Sequence, residues 1–243
     1  MRKLLGRMQR KVHLMRMPSR IVAGLMACAL ALFPAIAVAQ MIQENGIINP
    51  YRGPLGPRFD PAKSNPSVAL SNGGLTATGT VAGFTGAIGT PVLYQSSGKL
   101  YYELTTGTIS AIHGDTVGIQ NSSAGVTATF PGATANGIGY IADGRVLLNG
   151  ALLTTIQTFT SSNVICIATD LVDDEIWFRV GSGNWNNSGT ANPATDTGGI
   201  SLSGLSAGPY VPIATTDAVG DSYTVNFGAT SYAESVPSGF GNW

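Results

Sequence analysis

Two antiparallel β-sheets packed face to face are what this sequence predicts, on three observations. From residue 59 to the C-terminus the chain runs in short segments rich in Val, Ile, Thr, Tyr and Leu, punctuated by Gly, Asn, Ser and Asp. Several segments alternate apolar and polar side chains, the period of a strand with one buried face. No window carries the apolar spacing of an amphipathic helix of useful length. Many strands at short spacing on one chain make an all-β sandwich.

The N-terminus lies outside that fold. Met1 to Arg20 holds seven basic residues and no acidic one, Ile21 to Val38 is apolar, and Ala37-Val38-Ala39 supplies small residues before a cut. This order predicts a signal peptide over residues 1–39, Gln40 as the new N-terminus, and a secreted, periplasmic or cell-surface destination. Two other readings stay open. The apolar run is near the minimum for a retained membrane anchor, and Leu25-Met26-Ala27-Cys28 resembles a lipobox that would acylate Cys28. Residues 40–58, with Pro50, Pro54 and Pro57, read as a Pro-rich linker, because proline fixes φ and removes a backbone donor.

Without the leader, thirteen acidic side chains face six basic ones, a net charge of −7. The remaining cations are scattered, which argues against a nucleic-acid partner, since phosphate binding needs clustered charge. No membrane span is predicted after the leader. One cysteine remains, Cys166 in the apolar run Val164-Ile165-Cys166-Ile167-Ala168, so no intrachain disulfide forms and the thiol reads as a packed side chain.

The predicted strands are Ser67 to Leu70, Leu75 to Thr80, Lys99 to Thr106, Thr116 to Gln120, Gly137 to Ile141, Arg145 to Asn149, Ala151 to Gln157, Asn163 to Leu171, Glu175 to Val180, Pro209 to Thr215 and Tyr223 to Phe227. A first edge segment can begin at Phe59. Leu100, Tyr102 and Leu104 point one way, toward the core, and Tyr101 and Glu103 the other. Ala142-Asp143-Gly144 and Asn149-Gly150 are tight-turn signals and predict a three-strand meander. Val164 to Leu171 is apolar on both faces, which predicts a central strand with its second side covered. Beyond the turn at Val172-Asp173-Asp174, Ile176, Phe178 and Val180 alternate with Glu175, Trp177 and Arg179, a buried face against a partly wet one.

In order and spacing, Ser97-Gly98-Lys99-Leu100-Tyr101-Tyr102-Glu103, Thr116-Val117-Gly118-Ile119, Gly137-Ile138-Gly139-Tyr140, Val164 to Leu171 and Glu175-Ile176-Trp177-Phe178 resemble the SPRY domain as it occurs in bacterial and phage proteins. The ends, from Phe59-Asp60-Pro61 and to Pro237-Ser238-Gly239-Phe240, resemble it too, so the likeness covers residues 59–243. It implies a concanavalin A-like sandwich whose rim loops bind peptides or proteins without catalysis. Two departures limit the transfer of loop specificity. Ser162-Asn163 stands where a Gly-Asp is usual, and the turn after Phe178 is a longer Gly181-Ser182-Gly183-Asn184.

Chemistry-bearing motifs are sparse. His113, in Ser110-Ala111-Ile112-His113-Gly114-Asp115, could formally join Asp115 and a serine, but no nucleophile elbow accompanies it. One histidine and one thiol far apart make no usual zinc site. Asp173, Asp174 and Glu175 are consecutive, whereas calcium loops alternate their ligands, so a solvated turn is the simpler reading. Carboxylates paired for sugar hydrolysis would alternate within a strand, and those of 170–175 fall on a turn. No catalytic residue, cofactor or metal is therefore predicted.

The predicted contact residues are Asn184, Trp185, Asn187 and Trp177. A Trp flanked by amides suits a peptide groove or sugar stacking, and it equally suits an indole folded back over the sandwich edge. Trp177 is on the less apolar face of its hairpin, where loops of the second sheet could cover it. The predicted function is an exported, non-catalytic module that binds a protein or peptide. A carbohydrate-binding module and a structural surface or phage-derived appendage component are the alternatives.

Overall fold

A computed structural model describes residues 56–126 and 129–243. The leader, Cys28 and nearly all of the linker lie outside the described residues. The strands are β1 (Val68–Ser71), β2 (Thr76–Gly79), β3 (Thr85–Ile88), β4 (Lys99–Thr106), β5 (Thr116–Asn121), β6 (Gly137–Ile141) and β7 (Arg145–Leu148). They continue as β8 (Ala151–Thr155), β9 (Val164–Asp170), β10 (Glu175–Val180), β11 (Ile200–Ser201), β12 (Tyr210–Thr216), β13 (Ser222–Asn226) and β14 (Gly241–Asn242).

One sheet has the order β1-β2-β13-β4-β9-β10-β11, with β14 also on β4, and the other β3-β12-β5-β6-β7-β8. Every pairing between strands is antiparallel except β14 on β4. All eleven predicted strands occur, with ends within two residues of expectation. Three were not foreseen. Gly86 dilutes the strand signal of β3, and β11 and β14 have two residues each, too few for any period.

Strand periodicity builds the core. Leu100, Tyr102 and Leu104 of β4, Ile165 and Ile167 of β9, and Ile176 and Phe178 of β10 meet Val117, Ile119, Ile138, Tyr140, Val146, Val211 and Ile213 of the other sheet in one buried cluster. The Tyr102 hydroxyl donates across the layers to the Gly118 carbonyl at 2.7 Å. Phe59 is buried edge-on to Phe227 at 6.3 Å and bridges Gly89, so the first edge segment starts where the sequence placed it.

β6, β7 and β8 form the expected meander, with Asn149 (φ 52°) and Gly150 (φ 74°) at its second turn. The left-handed conformation at both positions is what Asn-Gly supplies at low cost.

The outer face of the larger sheet is also covered. Tyr101, Cys166, Ala168, Trp177, Trp185 and Phe240 form a second buried cluster, with Tyr232 packed against it. Their cover is the 181–199 loop and the C-terminal strap 228–240, which returns to lay β14 beside β4. Thus β9 is central and enclosed on both sides, as its two apolar faces predicted. The wet face expected for Trp177 is corrected. It is fully buried, and segments flanking its own sheet cover it rather than loops of the second sheet.

Candidate functional site

Antiparallel connection brings the loops after β2 (80–84), after β4 (107–115) and after β12 (217–221) to one rim of the sandwich. Main-chain bonds tie them: Gly83 N donates to Asp217 O at 2.8 Å, Gly79 N to Asp221 O at 3.0 Å, and Gly220 N to Gly79 O at 2.9 Å. The Asp221 carboxylate accepts from Ser110 N (2.9 Å), Ser110 Oγ (2.7 Å) and Ala111 N (3.1 Å). Asp217 N donates to Asp115 Oδ1 at 3.2 Å. Each loop turns one branched side chain to solvent: Val81 is 43% exposed, Ile112 44% and Val219 64%. Exposed aliphatics carried on loops that are hydrogen-bonded to one another make this rim a candidate interaction surface.

Beside Ile112, His113 Nδ1 lies 2.9 Å from Asp143 Oδ2, and Arg145 Nε donates to the same oxygen at 2.8 Å. Burial works against the Asp143 carboxylate, and the bonds from His113 and Arg145 outweigh it, so its pKa is lowered. The Ser-His-Asp grouping considered for His113 and Asp115 is not formed. His113 turns outward to Asp143, while Asp115 is buried on the core side of its strand.

At the opposite rim, Asp170, Asp173 and Asp196 bring carboxylate oxygens within 4.8 Å of one another. Lys99 Nζ stands among them, 3.0 Å from Asp170 Oδ2 and hydrogen-bonded to Asp196, so a side-chain ammonium takes the place a cation would fill. Lys99 is the one cation paired with this cluster among the described residues, so the three carboxylates keep a net negative charge around it.

Among solved structures, the SPRY domain of human HERC1 superposes on this chain with a TM-score of 0.54, at 17% identity, over 71% of this chain and 99% of that one. The chain has the SPRY fold. Two further likenesses are a human SPRY domain (TM-score 0.49, 14% identity, 68% of this chain and 98% of that one) and the TRIM65 PSpry domain (0.47, 13%, 70% and 91%). No protein-family model and no curated protein matches the sequence.

Within this SPRY sandwich, the four residues predicted for contact separate by burial. Asn184 and Asn187 are exposed. Trp185 is 8% exposed, lies under the Arg179 guanidinium at 4.4 Å and meets Tyr101 edge-on at 6.5 Å. Trp177 donates from Nε1 to Thr197 O at 2.9 Å. The indole folded back is therefore the arrangement found, and the two tryptophans belong to one buried cluster. Sequence reasoning missed Val81, Ile112 and Val219, because a single aliphatic in a Gly- and Ser-rich loop carries no periodicity. The available signal was Asp115 and Asp221, acids placed at the ends of apolar strands, where only a structured rim would keep them.

Proposed function

We propose that this chain is a non-catalytic binding module that recognises a protein or peptide through the rim carrying Val81, Ile112 and Val219. The observation that supports this reading is the exposure of one aliphatic on each of three loops that are hydrogen-bonded together. Such a patch offers apolar area at little ordering cost, because the loops are already fixed before a partner arrives. His113 and Arg145 add polar contacts at its border, and Asn184 and Asn187 offer amide contacts on the 181–199 loop. The protein is exported, with residues 1–39 as its cleaved leader, and N-terminal sequencing of the mature protein should begin at Gln40.

The test is a displayed random-peptide library panned against the chain, with a glycan array in parallel. Peptides enriched on the parent should be lost on a Val81→Asp, Ile112→Asp, Val219→Asp triple variant whose Tm is unchanged. Enrichment that survives the triple variant, or reproducible binding to glycans alone, contradicts the proposal.

A further inference from the structure

Beneath the rim, the core ends in polar side chains. Asp115 precedes Val117 and Ile119 at the two-residue period of β5, and Thr215 follows Val211 and Ile213 on β12, so each points inward between the sheets. Asp221 and Tyr223 have the same inward phase as Val225 on β13. Asp115, Thr215, Asp221 and Tyr223 are all fully buried. Asp115 Oδ2, Thr215 Oγ1 and Tyr223 Oη have no hydrogen-bond partner.

Two carboxylates enclosed together without a cation cannot both stay charged. No Lys, Arg or His forms an ion pair with either among the described residues. The groups facing the pair are Asp217 through its main-chain N–H, Tyr223 from β13, and Ser110 and Ala111 from the β4–β5 loop. None of these supplies a positive charge. A proton on Asp115 removes the conflict, because it neutralises one acid and gives the unpartnered Oδ2 a hydrogen to donate to Asp221.

We propose that Asp115 and Asp221 share one proton and so latch the 107–115 loop to the 217–221 loop, and that loss of this proton loosens the rim. Asp221 holds Ser110 and Ala111, Asp115 holds Asp217, and Ile112 and Val219 ride on the two loops so joined. Burial, and then the neighbouring Asp221, push Asp115 up to about 8. A group raised in the folded state stabilises fully below its unfolded value near 4, and that stabilisation declines as pH rises toward about 8. The latch makes the rim of the proposed binding function pH-dependent, and it rests on that reading only for its consequence.

Amide hydrogen exchange on the chain without any partner tests the latch separately from binding. After correction for the intrinsic rate, protection of the Ser110, Ala111 and Asp217 amides should fall by up to about tenfold per pH unit between about pH 4 and pH 8, where opening releases the shared proton, and level off above that. Asp115→Asn keeps a donor toward Asp221 and should give a flat profile. Flat protection in the parent, or the same fall in Asp115→Asn, overturns the latch. A second measurement needs no variant: carboxyl carbon shifts of Asp-labelled chain should show one side chain titrating near pH 8. Titration of every aspartate below pH 6 also overturns it.

Discussion

The indole of Trp177 and the ring of Phe240 stand edge-on, 6.3 Å apart at 88°, which joins β10 to the last residues of the chain. Phe240 is the strap's apolar contact over the outer face of β10. Replacing Phe240 with Ala should cost about 3 kcal/mol, as for other buried aromatic truncations. It should also shift tryptophan emission to the red as Trp177 meets water. Denaturant unfolding followed by fluorescence checks both, and an unchanged midpoint and spectrum would show that the strap does not cover this face.

The strap has a polar fastening as well. Glu103, 3% exposed, accepts from the Tyr101 hydroxyl (2.7 Å), Ala233 N (2.8 Å) and Glu234 N (2.9 Å). Glu103→Ala leaves three donors without their acceptor and should lower stability by about 2 to 4 kcal/mol. Glu103→Gln keeps one acceptor oxygen and should lose less. Equal losses for the two variants would show that packing, not hydrogen bonding, holds the strap.

Acid should weaken the fold at the rim opposite the binding patch. Burial disfavours the Asp170 carboxylate, but the Val172 and Asp173 amides and Lys99 outweigh it, so its pKa is lowered. A lowered carboxyl stabilises above its unfolded value near 4, and that contribution disappears as pH falls through the folded value. Tm should therefore drop below about pH 4, and Asp170→Asn should flatten this acid limb. A parent Tm that is level from pH 5 to pH 2 would contradict the assignment.

Cys166 should be chemically silent while the chain is folded. Burial pushes its thiol up, so thiolate is scarce and access is closed. An aromatic disulfide reagent should react only at the rate of global unfolding, and reaction complete within seconds in buffer would contradict this.

Much of the fold is legible in the sequence because pleated strands report their faces residue by residue. Leu100, Tyr102 and Leu104 are buried where their phase requires, and the doubly apolar 164–171 segment is the enclosed centre of its sheet. What phase cannot report is which segment covers an outer face. Trp177 looked half-wet because its neighbours in the strand, Glu175 and Arg179, are polar, while the cover comes from Phe240, 63 residues later. The rim was less legible still. Loop aliphatics such as Val219 acquire meaning only when folding ties their loop to those that carry Val81 and Ile112. Asn184 and Asn187 were found on the surface, but Trp185 between them is held inward by Arg179 and Tyr101.

Amide chemical-shift mapping with a library-enriched peptide tests the binding rim most directly. The account predicts shifts concentrated in 80–84, 107–115 and 217–221, with the acidic rim around Asp173 unchanged. Shifts centred on the Asp173 rim or on the exposed strand β8, with those three loops silent, would contradict it.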